Sequence, residues 1–360
     1  MMLRVLMVGP TPRLYGGISA VAGMLLDSEL PQRVELVYVA EGTRQSKLAK
    51  LRLALLAPLR LAARLLRRQV DVCHLHVGDG GSFYRHGLYL ALCRLSGVPV
   101  VLHWHLPGSG EAADAGLGSS RQRRLARWAL RHSARIIVLS PAWAATLARL
   151  SDDPQTAARL VVLPNPIACA AIQPGDLPAA QRHTLLFLGD FSARKGVRDL
   201  LAAAPAVLSD HPRTRLVLGG GVPPADVQAL AAPLAAAIEF PGFVRGQEKL
   251  RLLQQAALLV LPSYAEGLPV AVLEAMAAGL PVVTTPVGGI TDFFVNEVNG
   301  LLVRPGDVAA LAAALSGLLA DPARRAVMGV HNRAQALAHF DTPRYVVRLV
   351  GVYEGIRGKK

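Results

Sequence analysis

Cysteine is scarce in this chain, aromatic side chains are few, and negative charge is outnumbered. The three cysteines, Cys73, Cys93 and Cys169, stand far apart without metal-ligand spacing. That argues against a disulfide framework and a cysteine zinc site, and it fits a reducing compartment. Aromatics make up 5% of the residues within an apolar fraction of 52%, so the cores must be built from Leu, Val and Ala. No stretch reaches the roughly 18 unbroken apolar residues that a membrane-spanning helix needs. The opening MMLRVLMVGPTP breaks its apolar run at Arg4 and again at Gly9 and Pro10. It reads as a first strand and not as a secretory leader. Solenoid repeats and low-complexity tracts are missing as well.

Asp and Glu number 25 against 39 Lys and Arg, a net charge of +14. Residues 1–165 carry 21 basic and 10 acidic side chains, whereas residues 166–360 carry 18 and 15. An excess confined to one half points to an anionic surface or substrate. No nucleic-acid motif or aromatic stacking platform accompanies the basic residues, so no nucleic-acid partner is expected, and an anionic membrane surface fits better. Within residues 46–69, Lys47, Lys50, Arg52, Arg60, Arg64, Arg67 and Arg68 alternate with leucines, and Pro58 is expected to kink or divide the helix. Such a helix either lies on an anionic membrane or packs on a sheet with its arginines reaching solvent; the charge of the half favours the membrane.

What is present in abundance is alternation. Short apolar strands and helical stretches follow one another in both halves, interrupted by the Pro-rich run LPNPIACAAIQPGDLP. The pattern argues for an α/β chain of two doubly wound, Rossmann-like domains with parallel sheets. The expected divisions are a first domain over 1–166, a linker over 167–182, a second domain over 183–341 and a last helix over 342–360.

The stretch Leu258–Asp292 organises the second half. An apolar strand ends at Pro262, and a loop carries Glu266. Pro269 suits a helix start, Glu274 falls in the second turn, and Gly279 with Pro281 ends the helix. A second strand, Val282 to Thr285, runs into Gly288–Gly289. The two carboxylates are spread over roughly 12 Å along the axis, too far to share a proton or a metal. Helix-start N–H groups around Gly267 and Leu268 favour an anion between them. Either glutamate alone reads as an ordinary surface or helix residue; the unit as a whole reads as a cradle for an elongated, anionic ligand. Upstream, Arg194–Lys195–Gly196 brings two cations to another helix start, where a diphosphate can be neutralised.

The first half offers less. Gly16–Gly17 forms a glycine loop feeding a helix, equally a phosphate loop or a plain turn, and it is not the GxGxxG fingerprint. His74 and His76 share one strand face; as core or strand-end histidines they are better explained than as a metal pair. The loop 78–87, with Asp79, Ser82 and Arg85, is a candidate acceptor-facing loop. PVVLHWH, residues 99–105, delivers His103 and His105 to a strand's carboxyl end, either of which is the cleft-facing one.

The Glu266–seven residues–Glu274 spacing, the small-residue helix end and the strand into a glycine pair resemble the donor signature of retaining glycosyltransferases of the GT-B fold, glycosyltransferase family four. The resemblance implies two Rossmann-like domains facing across a cleft. It assigns the donor sugar hydroxyls to Glu266 and the ribose to Glu274, with Gly267, Leu268 and Pro269 around the diphosphate. It puts the nucleobase at the turn near Val244, Gly16–Gly17 towards the donor phosphates and acceptor, and His105 by the reacting carbon. Lys195 and Gly196 match the family's phosphate loop, with Arg194 a second cation; Asp190 stands where the family has arginine.

The expected activity is retaining transfer of a hexose from a UDP- or GDP-type sugar, with no metal or other cofactor, the leaving phosphate taking the acceptor proton. His105, Glu266 and Lys195 are the expected catalytic residues. The expected acceptor is a glycan or polyprenyl-linked lipid of cell-surface polysaccharide assembly, at the cytoplasmic face of an inner membrane. The alternatives are a non-catalytic, membrane-associated nucleotide-sugar or glycan-binding accessory protein and a nucleotide-sugar epimerase.

Overall fold

The computed structural model describes residues 2–12, 16–41, 47–78, 81–105, 117 and 119–357. Asp79 and the side chains of Lys47 and Lys50, singled out above, lie outside the described residues. The chain divides into two compact units: Met1–Pro166 together with Thr342–Lys360, and Ile167–Asp341.

The first unit is built on six parallel strands: β1 (Arg4–Gly9), β2 (Glu35–Ala40), β3 (Val72–Val77), β4 (Val100–Trp104), β5 (Arg135–Val138) and β6 (Leu160–Val162). Their order is β2-β1-β3-β4-β5-β6, so the winding reverses between β1 and β3. Its helices are α1 (Gly17–Leu26), α2 (Leu30–Arg33), α3 (Lys47–Leu66), α4 (Gly81–Leu95), α5 (Ser120–His132), α6 (Pro141–Ser151) and α7 (Thr156–Arg159). Pro58 does not divide the basic helix; α3 runs through it.

Side chains alternate across a strand, and here the alternation separates two chemistries. Cys73, Leu75, Val77, Leu102 and Trp104 enter one apolar core with the inner residues of α3, α4 and α5. His74, His76 and His103 face the other way and are fully buried.

The second unit repeats the plan with β7 (Thr184–Leu188), β8 (Arg215–Gly219), β9 (Ile238–Glu239), β10 (Ala256–Leu261), β11 (Val282–Thr284) and β12 (Gly300–Leu302). The order is β12-β11-β10-β7-β8-β9, all parallel, with the reversal between β7 and β10. Its helices are α8 (Val197–Asp210), α9 (Ala225–Ala231), α10 (Gly246–Gln255), α11 (Val270–Ala277), α12 (Ile290–Phe293), α13 (Val308–Ala320) and α14 (Pro322–His339). Residues 167–182, read from the sequence as a linker, are part of this unit. Ile167, Cys169 and Ile172 are buried, and the Ile167 N–H donates to the Phe340 carbonyl at 2.7 Å. The apolar residues between the prolines explain the difference: they have core to fill.

The last helix, α15 (Thr342–Arg357), belongs to the first unit. Its Tyr345, Val346, Leu349 and Tyr353 are buried.

Candidate functional site

In doubly wound sheets, ligands gather beyond the carboxyl ends of the strands where the winding reverses. In the second unit that place is beyond β7 and β10. The chain leaving β7 makes a 3-10 turn over Ala193–Lys195, and Gly196 then takes φ +68° and starts α8. A Cβ at Gly196 would lie 2.0 Å from the Pro262 carbonyl oxygen, so only glycine lets this turn lie against the end of β10.

The chain leaving β10 supplies Glu266, which is buried. Lys195 Nζ lies 2.6 Å from one carboxylate oxygen, Ser263 Oγ donates to the same oxygen at 2.7 Å, and Arg194 donates to the other at 3.3 Å and to the Ala265 carbonyl at 2.8 Å. Glu266, Lys195 and Arg194, expected from sequence, are therefore one contact cluster. Glu274 is also buried, in α11, where it is paired with Lys249 of α10. Ser263 and Lys249 were missed by the sequence reading. Ser263 was legible as the first polar residue past a buried strand. Lys249 carries no local signal, because its contact joins helices 25 residues apart.

The helix starts later than expected. Pro269 is extended, at φ −71° and ψ 119°, and caps α11, so Gly267 and Leu268 precede the helix. The first helical N–H groups belong to Val270 and Ala271. Asp190, which stands in the arginine position, accepts the Ser192 N–H at 3.0 Å. Burial works to raise its pKa, but the Ser192 hydrogen bonds and the nearby Lys195 and Arg194 outweigh that and hold it below the usual range.

Glycines hold the surrounding loops close. Val244 packs over Gly219, where a Cβ would meet its Cγ2 at 2.9 Å, and Gly220 donates to the Gly242 carbonyl at 2.9 Å. Gly288 has φ +62°, and a Cβ there would lie 2.2 Å from the Glu266 carbonyl oxygen. The Gly289 N–H donates to the Gly267 carbonyl at 2.6 Å. Gly288→Ala is expected to push the Glu266 loop away. The left-handed backbone alone costs an alanine about 1–2 kcal/mol, before the clash is counted. The thermal midpoint should fall by several degrees in a calorimetric scan; an unchanged midpoint would show that the loop is not held this way.

In the first unit, Gly16 has φ +129° and caps α1, whose first residue is Gly17. His103 is 0% exposed, whereas His105, one residue past β4, is 8% exposed and stands nearer the strand-end surface. His105 Nε2 lies 3.0 Å from His76 Nδ1, and His103 Nδ1 lies 3.2 Å from His74 Nε2, whose other nitrogen meets the Tyr353 hydroxyl at 2.6 Å. Burial first, and then neighbouring imidazoles, lowers the pKa of all four histidines, that of His76 to about 3. Ligating atoms of His74, His76 and His103 lie within 4.8 Å of one another. The rings of His74 and His76 are stacked, however, at 4.5 Å and 12°, which keeps their in-plane lone pairs from converging on one ion. The cluster is better described as a neutral hydrogen-bonded network.

Comparison with known proteins gives these residues a context. Residues 182–321 match the family model described as glycosyl transferases group 1, and residues 4–166 match that of the glycosyl transferase 4-like domain. A glycogen synthase of Mycobacterium tuberculosis is 31% identical over 274 residues, covering 73% of this chain and 65% of the relative. A D-inositol 3-phosphate glycosyltransferase of Acidothermus cellulolyticus is 33% identical over 216 residues, covering 54% and 48%. The matches thus span less than two thirds of these relatives. Among solved structures, sucrose-phosphate synthase from Thermosynechococcus elongatus has a TM-score of 0.81 at 21% identity, over 99% of this chain and 100% of its own. Anabaena Alr3699/HepE in complex with UDP-glucose has a TM-score of 0.75 at 18% identity, over 98% and 99%. No helix among the described residues is long and apolar enough to cross a membrane.

Proposed function

Since the chain belongs to the glycosyl transferases of group 1 and carries their GT-B fold, we propose that it moves a hexose from a nucleotide diphosphate sugar to an acceptor with retention at the anomeric carbon. The observation that carries this reading is the buried Glu266 carboxylate, held by Ser263, Lys195 and Arg194 beyond β7 and β10. A carboxylate and two cations this close neutralise one another in the free protein. A donor of the UDP or GDP type exchanges those partners: its diphosphate takes Lys195 and Arg194, and its sugar hydroxyls donate to Glu266. Glu274, held by Lys249, accepts the ribose hydroxyls, and the turn at Val244 borders the base. Gly267, Leu268 and Pro269 flank the diphosphate.

The chemistry is then mostly charge and position. As the bond from the anomeric carbon to the phosphate oxygen breaks, Lys195 and Arg194 stabilise the negative charge left on the diphosphate, without need of a metal. The acceptor oxygen bonds to the anomeric carbon from the same face, and its proton passes to the departing phosphate oxygen. Glu266 is occupied in binding and serves as no nucleophile. For the first unit the reading keeps His105 as the group by the reacting carbon and Gly16–Gly17 as a phosphate-facing loop. The acceptor class is a glycan or polyprenyl-linked lipid of cell-surface polysaccharide assembly.

The test is calorimetric titration with a panel of UDP- and GDP-sugars. One is expected to bind, and Glu274→Ala should weaken it about 10- to 100-fold, the worth of hydrogen bonds to a charged acceptor. Heat from no nucleotide sugar would favour the accessory-protein reading. Conversion of the donor sugar without acceptor would identify an epimerase.

A further inference from the structure

We propose that α3, α4 and α5 together form a docking face for an anionic lipid bilayer. The inner residues of all three enter the same core: Leu61 and Leu65 of α3, Leu90 and Cys93 of α4, Ala126 and Leu130 of α5. The three helices therefore cover one side of the sheet, and α4 packs against both α3 and α5. Their outer surfaces face solvent on the same side.

Two properties of that side coincide. The first is apolar. On α3, Leu55, Leu59, Ala63 and Leu66 are exposed at intervals of four, four and three, one line along a helix. On α4, Tyr84, Leu88 and Leu95 are exposed at the same kind of spacing. Leu66 and Leu95, 83% and 85% exposed, are the most exposed leucines among the described residues. The second is electrostatic. None of the three helices contains an Asp or a Glu. Arg52, Arg60, Arg94 and Arg124 are exposed along them, and Arg67 and Arg68 are exposed in the turn that follows α3.

This combination chooses between occupants. A nucleic acid would use the arginines but has no place for a line of leucines. A second copy would bring an equally basic face against this one. A bilayer takes both: leucines enter the acyl boundary while arginines meet lipid phosphates, each adding roughly fivefold to the affinity. The inference rests on the reading above only for the acceptor's lipid anchor. The first turns of α4 adjoin the carboxyl edge of the sheet, where Ser82 and Arg85 donate to buried Glu41 at 2.7 and 3.2 Å. A lipid lying along α4 would present its head group at that edge.

The test is flotation of the full-length protein with phosphatidylcholine vesicles, with and without phosphatidylglycerol, at low and high salt. Binding is expected only to the anionic vesicles and should weaken with salt. The triple variant Leu59→Ser, Leu66→Ser, Leu95→Ser and the double variant Arg60→Gln, Arg67→Gln should each bind at least tenfold more weakly. All five positions are exposed, so thermal midpoints should stay at the wild-type value, and transfer to a water-soluble acceptor should persist. Failure to float with anionic vesicles, or leucine variants that float as the wild type does, would overturn the proposal. So would tighter binding to an oligonucleotide than to vesicles, or a dimer that the leucine variant converts to monomer. Flotation without any transfer activity would sink the transferase reading and leave the docking face standing.

Discussion

Lys195→Ala is expected to lower kcat/KM for glycosyl transfer by about a thousandfold, the upper range for removing one preorganised stabiliser of developing charge. The lysine is mostly buried and lies 2.6 Å from Glu266, so little water screens it. In the variant, Ser263 and Arg194 still hold the glutamate, which limits the folding penalty of leaving a buried carboxylate behind. The loss should therefore fall more on kcat than on donor affinity, because the charge that Lys195 meets is largest as the diphosphate departs. Lys195→Arg keeps the charge but not the fit. A planar guanidinium fork does not reproduce the compact ammonium that meets Glu266 at 2.6 Å. Steady-state and single-turnover kinetics, with a thermal melt of each variant, separate chemistry from stability. A kcat/KM within tenfold of the wild type would remove Lys195 from the mechanism.

Mild acid should unfold the first unit well before the second. His74, His76, His103 and His105 are buried and neutral, with folded-state pKa values below the free value of 6.5. The unfolded chain therefore binds protons first as the pH falls. Stability is complete above about pH 7 and is lost below 6.5, down towards the folded value of about 3 for His76. Each histidine contributes at most about 1.4 kcal/mol per pH unit, so the four together remove roughly 5 kcal/mol per unit below about pH 5.5. That is comparable to the whole stability of a typical domain. His86, also buried with a lowered pKa, acts in the same direction, although Glu41 beside it partly opposes the shift. All three tryptophans, Trp104, Trp128 and Trp143, lie in the first unit, so their fluorescence reports it alone. Urea midpoints measured from pH 8 to pH 5 should fall steeply, and His103→Leu should reduce the slope by about a quarter. Midpoints independent of pH over that range would mean that the histidines are not held neutral.

What could be read from the residues alone follows the range of the interactions. Glu266, Glu274 and Lys195 were legible because their signals are local: fixed spacing, a helix start, a glycine just past a lysine. The two parallel sheets were legible from alternation. Lys249 was not, because its partner lies on another helix. The four-histidine network was half visible. Each strand showed its own pair, but only the β3–β4 register, which sets His76 beside His103, joins them. The start of α11 was misplaced for a backbone reason. Pro269 was read as helical, and its ψ is extended. The stretch 167–182 was taken for a linker because prolines mark irregular chain; they do not mark exposed chain.

The return of α15 to the first unit bears on how the protein is made. Synthesis from the amino end normally lets the first domain finish first. Here the second unit, Ile167–Asp341, is continuous and is complete once residue 341 has emerged. The first unit must wait for Tyr353, whose hydroxyl closes over His74. The early half of the nascent chain thus waits for a segment of its own core until residues 342–357 have emerged, and a ribosome stalled in that interval holds a finished second unit beside an unfinished first.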